Sequence, residues 1–224
     1  MKAGTHSRSR IGQAGFTLVE IAIVLVIIGL LLGGILKGQE MITQAKIKNI
    51  INDFNGVTAA VNTYQDRYRA LPGDDLTAAS RWATQNAVSG TGDGVLTGKY
   101  NAIPTPTLTN AQESNLFWWH LRLGGFVPGA ISGIAAGLQP PNATNGMIGV
   151  QSTGLGYSSN IVCSSNLPDK IAIAVDTAMD DGTPGAGEIR ADIQAGPSPA
   201  VPTTSTISAY AETGQNQYLL CKNL

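Results

Sequence analysis

"AGFTLVEIAIVLVIIGLLLGG", residues 14–34, decides the architecture of this 224-residue chain. From Phe16 to Leu36 only Thr17 and Glu20 interrupt the apolar side chains. As a helix rising ~1.5 Å per residue, that run is roughly 31 Å long, the thickness of a bilayer's hydrocarbon core. Lys2, Arg8 and Arg10 precede it, and the first fifteen residues contain no acid. By the positive-inside rule the N-terminus stays in the cytoplasm, and everything after about Lys37 is expected to be periplasmic or extracellular. A secretory signal would have a shorter apolar core and a small-residue cleavage site behind it. No A-x-A follows this run.

Glu20 is the residue that needs explaining. A carboxylate at the bilayer centre costs about 2.5–3.5 kcal/mol on insertion scales, so one that persists in an apolar helix is expected to have a partner. Gly15 and Phe16 stand four to five residues before it, at the cytoplasmic boundary of the apolar run.

"GFTLVE" followed by about twenty apolar residues resembles the class III signal of type IV prepilins and type II secretion pseudopilins. The resemblance is strongest over residues 12–36, moderate to about residue 75, and thin beyond. It implies that a prepilin peptidase cuts between Gly15 and Phe16 and methylates the new Phe16 amine. It also implies that Glu20 pairs with the Phe16 amine of a neighbouring subunit. The two residues are four apart, about 6 Å along a helix. That pairing would neutralise both charges in the filament core and fix the stagger between subunits. The implied partners are further copies of the chain, the peptidase, an inner-membrane assembly platform and the membrane. The implied location is a single-pass inner-membrane state before assembly and a periplasmic or extracellular filament afterwards.

Composition agrees with export. Charged residues are 13% of the chain, against about 25% in typical soluble domains. The net charge is −1, and losing residues 1–15 leaves 11 Lys and Arg against 15 Asp and Glu, so no nucleic acid is required as a partner.

Past Lys37 the apolar pattern becomes periodic. Ile47, Ile50, Phe54, Val57, Val61, Tyr64 and Tyr68 recur every three or four residues, one stripe of an amphipathic helix. Pro72 and Gly73 stop it near Ala70. The expected division is a cleaved leader at 1–15, a transmembrane or filament-core helix at 16–36, its periplasmic continuation at 37–70, and a globular head at 71–224. The resemblance implies an α+β, pilin-like fold class, with the long helix packed on a small antiparallel sheet and extra short helices. Many type IV pilins bend this helix at a proline, where the present chain has Lys37. Gly29, Gly33, Gly34 and Gly38 weaken the helix in the same zone by up to about 1 kcal/mol each relative to Ala.

In the head, "ALPGDD" at 70–75 reads as a turn feeding a helix capped by Asp74 or Asp75. "TNAQESNLFWWHLRLGG" reads as a helix capped by Asn110, with Glu113 completing a capping box and Gly124 as the stop. Its Phe117, Trp118 and Trp119 are expected in the core. "VSGTGDGVLTGKY" fails the phosphate-loop pattern, because Asp93 stands where its first glycine should be and Tyr100 replaces Ser or Thr. "PDKIAIAVDTAM" reads as a helix, followed by a D-D-G turn and a strand. Asp176, Asp180, Asp181 and Glu188 supply hard oxygen ligands suited to calcium, without EF-hand spacing, so a solvated acidic turn with no cofactor is the favoured reading.

Cys163 and Cys221 are the two cysteines, with no C-x-x-C and no nearby histidine for a zinc site. They form one disulfide if this part leaves the cytosol and are reduced thiols otherwise. The resemblance implies a C-terminal disulfide-closed region. His120 is the only histidine beyond the leader, and no nucleophile elbow is present, so no enzymatic activity is expected. The leading expectation is a structural prepilin that polymerises through its N-terminal helix into a type IV pilus-like filament. A type II secretion pseudopilin is the alternative, and a monomeric membrane-anchored periplasmic enzyme or binding protein the remote one.

Overall fold

The computed structural model describes Gly15, 17–105, Leu108 and 111–224. These residues divide into two compact units, one ending at Ile42 and the other running from Thr43 to Leu224. Helix α1, Leu18–Tyr68, supplies residues to both.

Within the first unit every side chain of the apolar run is exposed, from Leu18 at 86% through Leu30 at 73% to Leu36 at 67%. The best 18-residue window of α1 has a mean hydropathy of 2.8 and no buried residue. By length and composition it can cross a membrane. Gly29, Gly33, Gly34 and Gly38 are all helical.

In the second unit, α1 buries Ile47, Ile50, Phe54, Val57, Ala60, Val61 and Tyr64. This is the stripe expected from the sequence, with Tyr68 only partly covered. The helix ends at Tyr68, two residues early, where Arg69 turns left-handed at φ 55°. The stripe packs on a four-stranded antiparallel sheet of order β1-β2-β4-β3. The strands are β1, Ile148–Gly154; β2, Tyr157–Pro168; β3, Ile189–Ile193; and β4, Gln217–Asn223. The C-terminal strand thus lies between β2 and β3.

Alternation along the strands makes two apolar layers. Ile148, Val150, Val162, Ile189, Ala191, Tyr218 and Leu220 join the α1 stripe in the main core. Ile161, Cys163, Leu219 and Cys221 form a second layer, covered by Tyr100 and Leu155. Cys163 and Cys221 face each other in the β2–β4 register and are joined by a disulfide.

Helix α3, Glu113–Leu123, adds Phe117, Trp118 and Leu121 to the main core, while Trp119 packs in a smaller cluster with Leu108 and Leu116. Helix α4, Asp169–Met179, contributes Ile171, Ala172 and Val175, and a turn leads from it into β3. Two local expectations are corrected. The segment after "ALPGDD" forms only a four-residue helix, α2, Ala78–Arg81, whose N-cap is Thr77. Asp74 and Asp75 are instead engaged elsewhere, as described below. Helix α3 starts at Glu113 with Gln112 at the N-cap, so Glu113 is its first residue and does not close a capping box. Asn110 lies outside the described residues. At the other end of α3, Phe126 N donates to Leu121 O at 2.9 Å and Gly125 N to Arg122 O at 3.1 Å, with Gly125 at φ 77°. This is a Schellman stop, in which Gly125 takes the left-handed position and Gly124 remains right-handed.

Candidate functional site

The functional segment begins at Gly15, which is exposed. Thr17 precedes α1, and its Oγ1 accepts the Glu20 N–H at 3.2 Å. In return Glu20 Oε2 accepts both the Thr17 backbone N–H and its hydroxyl, each at 2.8 Å. The pair is a capping box, with Thr17 at the N-cap and Glu20 three residues on, which satisfies two of the amide donors a helix start leaves open. The sequence carries this signal as Thr17-x-x-Glu20, and the reading of Glu20 as an assembly residue passed over it. Phe16, the residue implied for methylation and for the assembly amine, lies outside the described residues. Around Glu20, Ile21, Ile23 and Val24 leave an open apolar surface.

Residues 10–36 match the family model of the prokaryotic N-terminal methylation motif. This is the class III signal of type IV prepilins and pseudopilins. No curated protein matches the chain. The motif belongs to structural, pilin-type subunits, and with the apolar helix it fits a membrane-anchored, pilin-like protein.

Among the described residues of the head, two groups of three carboxylates bring their oxygens close together. Asp176, Asp180 and Asp181 offer oxygens within 4.8 Å of one another, and Glu188 is not among them. Asp176 already accepts the Tyr210 hydroxyl and, at 3.2 Å, the Gly182 N–H. Asp180 accepts the Ile189 N–H at 2.9 Å. These bonds close the turn between α4 and β3. Burial nonetheless pushes the Asp176 carboxyl up.

Asp74, Asp93 and Glu113 form the second group, which sequence reasoning did not single out. Glu113 Oε1 takes the N–H and hydroxyl of Thr91, and its Oε2 those of Thr97, at 2.8–2.9 Å. Asp74 takes the N–H groups of Gly92, Asp93 and Gly94. Burial raises the Glu113 carboxyl, but these Thr97 and Thr91 donors outweigh it and hold it below the usual range. The glycine-rich loop at 90–97 therefore aims its amides as a phosphate cradle does, and the chain's own carboxylates fill the cradle.

Next to it, Asp75 ties α1 to α2. Its Oδ2 accepts the Tyr64 hydroxyl at 2.7 Å and the Arg81 guanidinium, and its Oδ1 accepts Thr77 N–H and hydroxyl at 2.8 Å. Burial works to raise this carboxyl, but Arg81, Tyr64 and Thr77 bring it down to about 2. These polar groups satisfy one another, and the cluster serves as a brace for the "ALPGDD" corner.

Proposed function

We propose that this protein is a structural prepilin whose mature form polymerises through α1 into a type IV pilus-like filament. The motif at residues 10–36, with Gly15 at its cleavage point and Glu20 in the exposed, otherwise apolar N-terminal stretch of α1, carries the reading. An exposed run of this length is stable only in lipid or against other copies of itself. The peptidase removes residues 1–15 and methylates Phe16. Glu20 of one subunit then meets the Phe16 amine of the next, with α1 delivered from the inner membrane by an assembly platform. The N-terminus faces the cytoplasm before assembly, and the head is periplasmic or extracellular.

The head works as a scaffold rather than an enzyme. Calcium is an accessory in this reading, with Asp176, Asp180 and Asp181, whose oxygens lie within 4.8 Å of one another, as its proposed ligands. A thermal melt of the full chain that is identical in calcium and in chelator would remove calcium from the account.

Intact mass and N-terminal analysis of the protein from its host membrane or sheared surface fraction tests the proposal. Loss of residues 1–15 with one added methyl group supports it. Full-length single molecules, from cells that have the processing machinery, overturn it. A pseudopilin shares every feature used so far, and the neighbouring genes separate the two: a retraction ATPase goes with a pilus, secretion-only genes with a pseudopilus.

A further inference from the structure

Every other buried or half-buried carboxylate among the described residues accepts at least one hydrogen bond. Asp53 is the exception. It is half-buried on α1, and its side chain has no hydrogen bond or ion pair with any described residue. It opens into a groove of about 330 Å³ lined by Asn49, Asn52 and Asp53 of α1 and by Pro141, Asn142 and Ala143 of the loop before β1. Burial there pushes the Asp53 carboxyl up, so the free chain holds this charge at a cost. A cationic group entering the groove would relieve that cost.

Lys48 is a cation without a place. It is exposed on α1, five residues before Asp53, and also lacks an ion pair among the described residues. At ~100° per residue the two side chains stand about 140° apart around the helix, so they cannot pair within one chain. They lie on different sides of α1.

We infer that the Asp53 groove of one copy receives the Lys48 ammonium of a second copy. An acid on one side of the helix and its cation on another make a heterologous contact, which propagates from copy to copy instead of closing a two-fold dimer. The displacement it needs is five residues, about 7.5 Å along the axis. The Glu20–Phe16 pairing of the proposed filament needs four residues in the same direction, about 6 Å. In residue number the two offsets have the same sign and differ by one. This inference rests on the filament reading, and it adds a second electrostatic rung outside the membrane segment, one that selects register between copies.

Charge exchange in the full chain, expressed in a filament-producing host, tests it. Close charge pairs at interfaces couple by about 1.5 kcal/mol or more, so Asp53→Lys and Lys48→Asp alone should each lower the sheared filament fraction by roughly tenfold. The double exchange should recover most of it, while Lys170→Asp, an exposed charge change on α4, should leave the yield unaltered. Singles that assemble normally, or a double variant as poor as either single, overturn the inference. A second measurement does not depend on how a reversed charge folds. Chains carrying Asp53→Cys, co-expressed with tagged chains carrying Lys48→Cys, should be joined into a heterodimer in assembled filaments by a short bis-maleimide that spans the reach of a lysine side chain, too long for a direct disulfide, and absence of that cross-link overturns the contact. If the exchange fails while Glu20→Ala still abolishes filaments, only this inference falls. If Glu20→Ala assembles normally, the Glu20–Phe16 pairing falls, and if the unaltered chain is recovered only as full-length single molecules, the filament reading falls with this inference.

Discussion

His120 Nδ1 accepts the Gly73 backbone N–H at 3.0 Å, while its Nε2 lies 2.8 Å from the Val88 carbonyl oxygen. An imidazole that accepts at one nitrogen and meets a carbonyl at the other is neutral, with its proton on Nε2. The ring thus pins the "ALPGDD" corner to α3 and to the loop after α2. It also stacks against Tyr64, with ring centres 6.4 Å apart. Protonation would place a second hydrogen where Gly73 N–H already points.

A pH dependence follows. Burial depresses the His120 pKa from 6.5 to about 4, and this outweighs the Val88 carbonyl and the Asp75 charge, which favour protonation. Between those values the unfolded chain binds a proton that the folded chain does not. Stability is therefore full above about pH 6.5, falls as pH drops toward 4, and levels off below, with a total on the order of 3 kcal/mol. Urea unfolding of the full chain in detergent at pH 7 and pH 4.5 measures the slope. His120→Gln, which keeps an acceptor and a donor but cannot titrate, should flatten this part of it. Equal slopes for both proteins would mean that His120 is not the group responsible.

Glu113 is the next most consequential side chain of the head. Four donors from Thr91 and Thr97 converge on it, and it is 4% exposed. Glu113→Gln replaces one accepting oxygen with a donor that faces the Thr97 donors. The expected loss is about 2–3 kcal/mol, the cost of leaving buried charge-assisted partners unsatisfied. Faster amide exchange at 90–97, together with an earlier thermal midpoint, would report it. An unchanged melt would show that water replaces the carboxylate at no cost.

The contrast between Glu113 and the α1 stripe shows what the sequence discloses. Ile47, Ile50, Phe54, Val57, Val61 and Tyr64 could be placed because burial of a helix face imposes a period, and a period is visible in one dimension. The α+β layering is what the resemblance implies, and α4 is legible in its Pro168-Asp169 start. Glu113 fitted a capping box by spacing alone, but its real partners are 16 and 22 residues earlier in the chain, in a loop whose course no local rule predicts. Thr17 and Glu20 show the opposite failure. Their capping box was written plainly in the sequence, but the resemblance drew attention only to what Glu20 does after cleavage.

The disulfide between Cys163 and Cys221 ties β4 to β2 across a separation of 58 residues. β4 pairs with both β2 and β3, so the sheet is complete only when the last seven-residue strand is in place. In the chain-entropy model, closing a loop of that length contributes about 4 kcal/mol. Replacing both cysteines by Ala should lower stability by roughly that amount, within the 2–5 kcal/mol typical of native disulfides, and should loosen β3 along with β4. Hydrogen exchange across Ile189–Ile193 and Gln217–Asn223 reads out the coupling. Protection lost in β4 alone would show that β3 holds through its other contacts, such as Ala191 N–H to Pro184 O at 2.8 Å.

Thr17 and Glu20 separate two uses of one carboxylate. In the uncut chain the Phe16 nitrogen belongs to a peptide bond and carries no charge, and Glu20 is occupied with the Thr17 donors. Cleavage after Gly15 would turn that nitrogen into an amine only one residue before Thr17, so Glu20 gains a charged competitor for its cap. Thr17→Ala removes the hydroxyl half of the box but leaves the carboxylate, and should loosen the first turn of α1 at a cost near 1 kcal/mol to the helix. It should leave leader removal and filament yield close to normal. Glu20→Ala removes both uses; its leader should still be cut, since Gly15 and Phe16 are intact, but sheared filaments should disappear. Measuring the mass of the membrane-bound pool beside the sheared fraction separates the two steps. If Thr17→Ala abolished filaments as completely as Glu20→Ala, the cap itself, and not a charge shared between subunits, would be the reason for an acid at this position.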